Sequence, residues 1–244
     1  LKGLAALAGL AGALAVVWFF LIPALLAGRD PLAVALVTSS AVMVLVLYLA
    51  HGVSAKTTTA LLGTLGGVAA VAALAAWAIP ATFLTPSAHE GAYLLTQSAP
   101  GLDLRGLLLC GMVLAGVGVL NDVTITQASA VWELRAAGQT NRRALFGQAM
   151  RIGRDHIAST VYTIAFAYVG GALSVLMLAS LYDHSLTELF TFEDIASEIV
   201  PILVASIGLV LAIPLTTAIA AILGAPRDVL TAPPSTTAAS KELP

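Results

Sequence analysis

Charge is what this sequence has least of. Lys, Arg, Asp and Glu supply 10% of its 244 residues, against about 25% in an ordinary soluble domain. Gly3–Gly28, Leu32–Gly52 and Thr57–Ala88 carry no such residue at all. A water-soluble globule could not cover its core with so little polar surface. A net charge of −2 lacks the basic excess of a nucleic-acid binder, so no nucleic-acid partner is expected. The single cysteine, Cys110, cannot form an internal disulfide, and within an apolar run it reads as a small hydrophobe. The phosphate-binding GxxxxGK[ST] loop, HExxH, GxSxG and a paired CxxC are all missing. Without them the chain offers no catalytic residue, cofactor site or metal site. It reads as a non-enzyme.

What is present is hydrophobic length. A helix crossing the ~30 Å hydrocarbon core needs about 20 mostly apolar residues. Six stretches qualify: Leu4–Ala27, Pro31–Ala50, Thr57–Pro80, Leu104–Leu120, Ile157–Leu181 and Ile199–Leu223. The first is too long for the ~7–15-residue apolar region of a signal peptide. None alternates as a barrel strand would. The expected fold is therefore an all-α, polytopic membrane bundle of about six helices, with the lipid bilayer as its first partner. Residues 1–224 form this domain. Because the chain opens on Leu1, we read it as the C-terminal part of a longer protein. Residues 225–244, rich in Pro, Ser, Thr and Ala, are expected to be a disordered cytoplasmic tail.

Orientation follows from Lys and Arg. With Lys2 inside, the inner side also receives Lys56, Arg135, Arg142, Arg143, Arg151, Arg154, Arg227 and Lys241, and the outer side only Arg29 and Arg105. The C-terminus and the 121–155 connection are then cytoplasmic. Within that connection an amphipathic helix fits Ile125–Leu134, Gly138–Asn141 signals a turn, and a short helix fits Arg142–Arg154. The outer 81–103 loop reads as irregular.

The last three spans carry narrow stripes. Gly111, Ala115, Gly118, Asp122, Thr126, Ser129 and Glu133 recur every three or four residues, on one face of a continuous helix. The fifth span repeats this with His156, Thr160, Thr163, Ala167, Gly170 and Ser174, and the sixth with Glu198, Pro201, Ala205, Gly208, Ala212 and Thr216. One reading is close helix packing, which small residues permit in lipid. The other is a polar path whose titratable groups are Asp122, Asp155 and His156, lined by Thr126, Ser129, Thr160 and Thr163. Counting from Leu104, Asp122 lies ~27 Å along the helix, near the inner boundary. Arg151 and Asp155 have the spacing of a helical ion pair. Gly63 and Gly67 form a GxxxG contact in the third span. Pro214 is either a packing kink or a hinge, with Thr216 and Thr217 placed to satisfy freed carbonyls. His89-Glu90, Asp183-His184 and the acids near them lack metal-ligand spacing and read as a solvated face.

Three blocks carry a resemblance: GVLNDVTITQASAVWELR at Gly118–Arg135, MRIGRDHIAST at Met150–Thr160 and SIGLVLAIPLTT at Ser206–Thr217. With His51-Gly52, Lys56-Thr57 and Leu61–Gly67 they resemble the YibE/F family of prokaryotic integral membrane proteins. Where that family's pattern has two adjacent acids, this chain has Asn121-Asp122, which leaves Asp122 as the carboxylate. The resemblance implies a permease role. A fainter similarity, in order of elements only, links Gly118–Asp122, Ala128–Arg135 and the last two spans to the membrane half of resistance-nodulation-division and SecD/SecF-type proteins. That likeness implies proton-coupled conformational change. The expected function is a permease of the prokaryotic inner membrane, with substrate unknown. The competing expectation is a non-transporting accessory subunit that docks another membrane protein or a copy of itself.

Overall fold

The computed structural model describes residues 2–82, 84, 94–95, 97–181 and 193–223, and its regular elements there are all helical. The first span is α1 (Lys2–Val16), a π-helical turn at Val17–Leu21, and α2 (Ile22–Leu26). Pro23 explains the widened turn. A proline ring crowds the carbonyl four residues back, and the wider turn relieves that contact. The Ile22 N–H accordingly donates to the Val17 carbonyl, five residues back.

α3 (Pro31–His51) starts where the Asp30 carboxylate accepts the Ala33 N–H at 2.7 Å and Pro31 takes the first helical position. It ends at Gly52, whose φ of 74° a side chain would disfavour. α4 (Ala55–Ala81) is capped by the Ser54 hydroxyl on the Thr57 N–H. α5 (Leu104–Ala136) has 33 residues, so the expected fourth span and the amphipathic helix beyond it are one rod. It closes at Gly138, with φ of 94°. The Asn141 side chain then caps α6 (Arg142–Gly171), which merges the expected short inner helix with the fifth span.

Five stretches are long and apolar enough to cross a membrane: Gly3–Leu26, Pro31–His51, Ala55–Ala81, Leu104–Ala136 and Ile195–Leu223. The expected fifth crossing, Ile157–Leu181, is instead divided between α6 and α7 (Leu173–Leu181). Only Ala172 separates them, and the helical ladder passes through it: the Ala172 N–H donates to Tyr168 at 2.8 Å, and the Leu176 N–H to Ala172 at 3.0 Å. The last helix is α8 (Glu193–Leu223). Residues 225–244, His89-Glu90, Asp183-His184 and positions 83, 85–93 and 96 of the 81–103 loop lie outside the described residues.

The core is the triangle of α4, α5 and α8, flanked by α1 and α3 on one side and α6 on the other. Its close approaches set the register. Along α4, Thr64 meets Thr124, Gly67 meets Leu120, and Val71 meets Gly116, so α4 and α5 run antiparallel. Gly63 meets Thr216, Gly67 meets Ala212, and Val71 meets Gly208, so α8 is antiparallel to α4 as well. Lys56 begins α4 at the end where α5 finishes with Arg135 and α6 begins with Arg142 and Arg143. Asp30, Asp103 and Arg105 gather at the opposite end, around a cleft of about 320 Å³. There the Cys110 thiol donates to the Pro31 carbonyl at 3.1 Å, tying α5 to α3.

Candidate functional site

Four of the buried polar side chains, Thr64, Thr124, Gln127 and Thr217, form a belt across four helices. On α4 and α5 the Thr64 and Thr124 hydroxyls lie 2.6 Å apart. The Gln127 amide of α5 donates to the Thr217 hydroxyl of α8 at 2.7 Å and to the Ala149 carbonyl of α6 at 2.9 Å. Thr64, Thr124, Thr216 and Thr217 are wholly buried, and Gln127 nearly so. Gly153 permits this meeting of helices: a Cβ there would lie 2.7 Å from Ile213 and 3.0 Å from the Gln127 oxygen. Every group in the belt is neutral. A hydrogen bond made within hydrocarbon has no water competing for it, so the belt fastens the bundle. Sequence periodicity singled out Thr126 and Ser129 instead, on the neighbouring face. Thr124 and Gln127 were findable only as partners of Thr64 and Thr217, which no single-helix pattern reveals.

Pro214 continues α8 rather than ending it. Its missing N–H frees the Val210 carbonyl. The Thr216 and Thr217 hydroxyls, however, bond to Ala212 and Ile213, both at 2.7 Å. They do not repair the gap directly.

The small-residue stripes do not converge. On α8, Pro201, Ala205, Gly208, Ala212 and Thr216 are buried, and the last three of these face α4. A Cβ on Gly67 would come within 2.8 Å of Leu120 and 3.0 Å of Ala212, while one on Gly63 or Gly208 would collide with Thr216 or Val71. These three glycines make close helix contacts. Gly111, Gly118 and Gly170 make none: each is exposed, and an added Cβ would meet nothing. The expectation that they pack helices within the chain is corrected. α5 turns a different small set inward, with Gly106 against Pro31 and Gly116 against Val71.

Asp122 shares that outward face. It is exposed, and its backbone carbonyl accepts the Thr126 hydroxyl at 2.7 Å. Thr126 and Ser129 are half-buried, and the Ser129 hydroxyl bonds to Ile125 at 2.8 Å. On α6, Asp155 is exposed, His156 and Thr160 are half-buried, and Thr163 is exposed, bonding to Ser159 at 3.0 Å. Arg151 and Asp155 are both exposed with no ion pair between them, so the expected helical pair does not form.

The α4–α5 register sets Asp122 level with Gly66, 11 residues past Ala55, about 16 Å along the axis. Gly66 lies within the apolar run Thr57–Pro80 of α4. Gln127 meets Ala149 and faces Gly153. Continuing that antiparallel run brings Arg154–Ala158, centred on His156, to the level of Asp122. The outward face of α5 also floors a cleft of about 480 Å³ nearer the other end, where Gly111, Leu107 and Leu108 lie between Leu21 and Tyr168.

The profile of the YibE/F-like protein family matches residues 1–225. The chain belongs to the YibE/F family. No curated protein and no solved structure matches it. In this YibE/F chain the NDVTITQASAVWELR block contributes Thr124 and Gln127 to the belt and Asp122 to the outer face. The block at Met150–Thr160 contributes Gly153 beside Gln127, and SIGLVLAIPLTT contributes Gly208, Ala212 and Thr216 to the α4 contact and Thr217 to the belt. These three blocks thus converge on one packed region and its exposed edge.

Proposed function

We propose that this chain is a permease-type protein of a prokaryotic inner membrane, in which Asp122 handles a proton or cation. The observation carrying this reading is the place of Asp122. It is a carboxylate level with the apolar part of α4, on a face with Gly118 above it and half-buried Thr126 below. Holding a carboxylate within hydrocarbon is costly, so such a residue is kept for function. Asp155 and His156 lie at its level on α6 and are its coupled groups. Thr126, Ser129, Thr160 and Thr163 supply polar lining. The belt through Thr64, Thr124, Gln127 and Thr217 has no charge to exchange, and its role is to hold the bundle while the α5–α6 edge works. The Lys- and Arg-bearing end, with the 121–155 segment and the C-terminus, faces the cytoplasm, as basic residues favour that side.

The test is flux into liposomes under an imposed pH gradient, read with a pH-sensitive dye. Wild-type chain is expected to dissipate the gradient, Asp122→Asn to abolish that flux, and Asp122→Glu to retain part of it. Full flux in folded Asp122→Asn would overturn the reading. The second reading, an accessory subunit that moves no solute, draws on the open space at Gly111, Gly118 and Gly170. It predicts no flux in any variant.

A further inference from the structure

We propose that Arg135, in the last turn of α5, is the centre of a binding site for a phosphate group. The proposal is independent of the flux reading, which uses none of these residues. It starts from an anomaly. The Nε and Nη1 atoms of Arg135 are buried, and among the described residues neither has a hydrogen-bond partner. A guanidinium keeps its charge at any ordinary pH, so the chain cannot relieve the strain by losing a proton. Burying a cation whose donors lack acceptors is costly. A bound anion removes that cost.

The packing sets the position. Thr124, Ala128, Val131 and Arg135 recur at steps of four, three and four, on one face of α5. The first three are wholly buried, so Arg135 stands on the inward face, where it is half-buried. Val131 packs with Leu145 and Ala149 of α6 and with Ala220 and Ala221 of α8. Arg135 comes one turn beyond this apolar cluster, at the mouth between the three helices.

The chain's own acceptors there are taken or turned away. The negative end of α5 favours a cation, but its last carbonyls close the helix. Those of Glu133, Leu134 and Arg135 accept from Ala137, Gln139 and Gly138 at 2.9, 3.2 and 2.9 Å. The Glu133 carboxylate is exposed and starts about 200° around the axis from Arg135. Lys56 in the first turn of α4 is half-buried, and Arg142 and Arg143 in the first turn of α6 are exposed. These three raise the potential for an anion and supply no acceptor. A phosphate group answers this demand, since its oxygens accept several N–H bonds at once and match guanidinium donors. The surrounding cations favour it over a singly charged carboxylate. A phospholipid headgroup and a soluble phosphate compound both carry such a group.

The experiment has two arms, and both use the full chain in neutral detergent stripped of phospholipid. In the first, inorganic phosphate is added at constant ionic strength and thermal unfolding is followed. Wild type is expected to gain stability saturably, and Arg135→Met to gain none. Arg135→Lys is expected to need about tenfold more phosphate, the equivalent of one charge-assisted hydrogen bond. Before phosphate is added, Arg135→Met is expected to unfold no lower than wild type, because it loses an unpartnered charge and keeps an apolar stem. In the second arm, phosphatidylglycerol is added and the lipid kept by each chain is read by native mass measurement. Wild type is expected to keep lipid that Arg135→Met loses. A response in the first arm places the ligand among soluble phosphate compounds, and a response in the second arm alone makes it a headgroup. Exposed Arg105, at the opposite end, is the control, and Arg105→Gln is expected to respond as wild type does. Three results would each overturn the proposal. One is no Arg135-dependent response in either arm, and another is equal loss in Arg105→Gln. The third is an Arg135→Met chain that is much less stable than wild type, or unfolded, before phosphate or lipid is added, since the guanidinium would then already have its acceptor within the chain.

Discussion

Two stripes of the same residue types meet opposite fates in this molecule. On α8, Gly208, Ala212 and Thr216 lie against α4, where Gly63 and Gly67 leave just enough room for them. On α5, Gly111, Ala115 and Gly118 recur at similar helical steps, yet an added Cβ at either glycine would meet nothing. The first stripe binds the chain together. The second leaves a carboxylate and an open cleft at the edge of the bundle. Small residues in a membrane helix therefore mark a close approach without saying whose helix approaches.

The largest expected effect comes from filling the first stripe. Gly63→Leu drives a side chain into the stiff, β-branched Thr216, and overpacking of this kind costs up to about 3 kcal/mol or more. Reversible unfolding in mixed micelles is expected to show that loss, or the chain fails to accumulate. Tolerance of Gly63→Leu would break the distinction between the stripes. Next comes Gln127→Leu. It removes two bonds, to Thr217 and Ala149, and leaves that buried carbonyl short of a partner, at about 1–2 kcal/mol. The same unfolding assay reads it. Thr64→Val keeps the shape and removes one interhelical bond, about 0.6 kcal/mol by the average for membrane helices. Smallest of all is Gly118→Leu, expected to change monomer stability by less than about 0.5 kcal/mol, as surface substitutions do. An equal loss at Gly63 and Gly118 would erase the comparison.

Much of the architecture is legible in the sequence because hydrocarbon imposes a coarse rule. Charge-free runs of about 20 residues must be helices, and the spans of α1 to α5 and α8 follow from that alone. The caps at Asp30 and Asn141 and the stop at Gly138 rest on local chemistry that a short window contains. The continuity of α5 past Leu120 was only partly legible. Asn121, Asp122 and Gln127 lower its hydrophobicity, while its partners are what sustain the helix: Gln127 holds on to Thr217 and Ala149.

The site was less legible. Periodicity placed Asp122, Thr126 and Ser129 on one face, and they do share it. It could not report which way that face turns, because direction depends on α3, α4 and α8, which lie far away in sequence, as with Thr64 and Thr124.

The most direct test of the account is the depth and exposure of residue 122 itself. A nitroxide attached to Asp122→Cys, on a Cys110→Ala background in lipid bilayers, can be relaxed by oxygen from the hydrocarbon or by a water-soluble nickel complex. The account predicts a label at hydrocarbon depth, reached more by oxygen than by nickel. A label that nickel reaches as freely as one at Glu133→Cys would place the carboxylate among the headgroups and contradict the account.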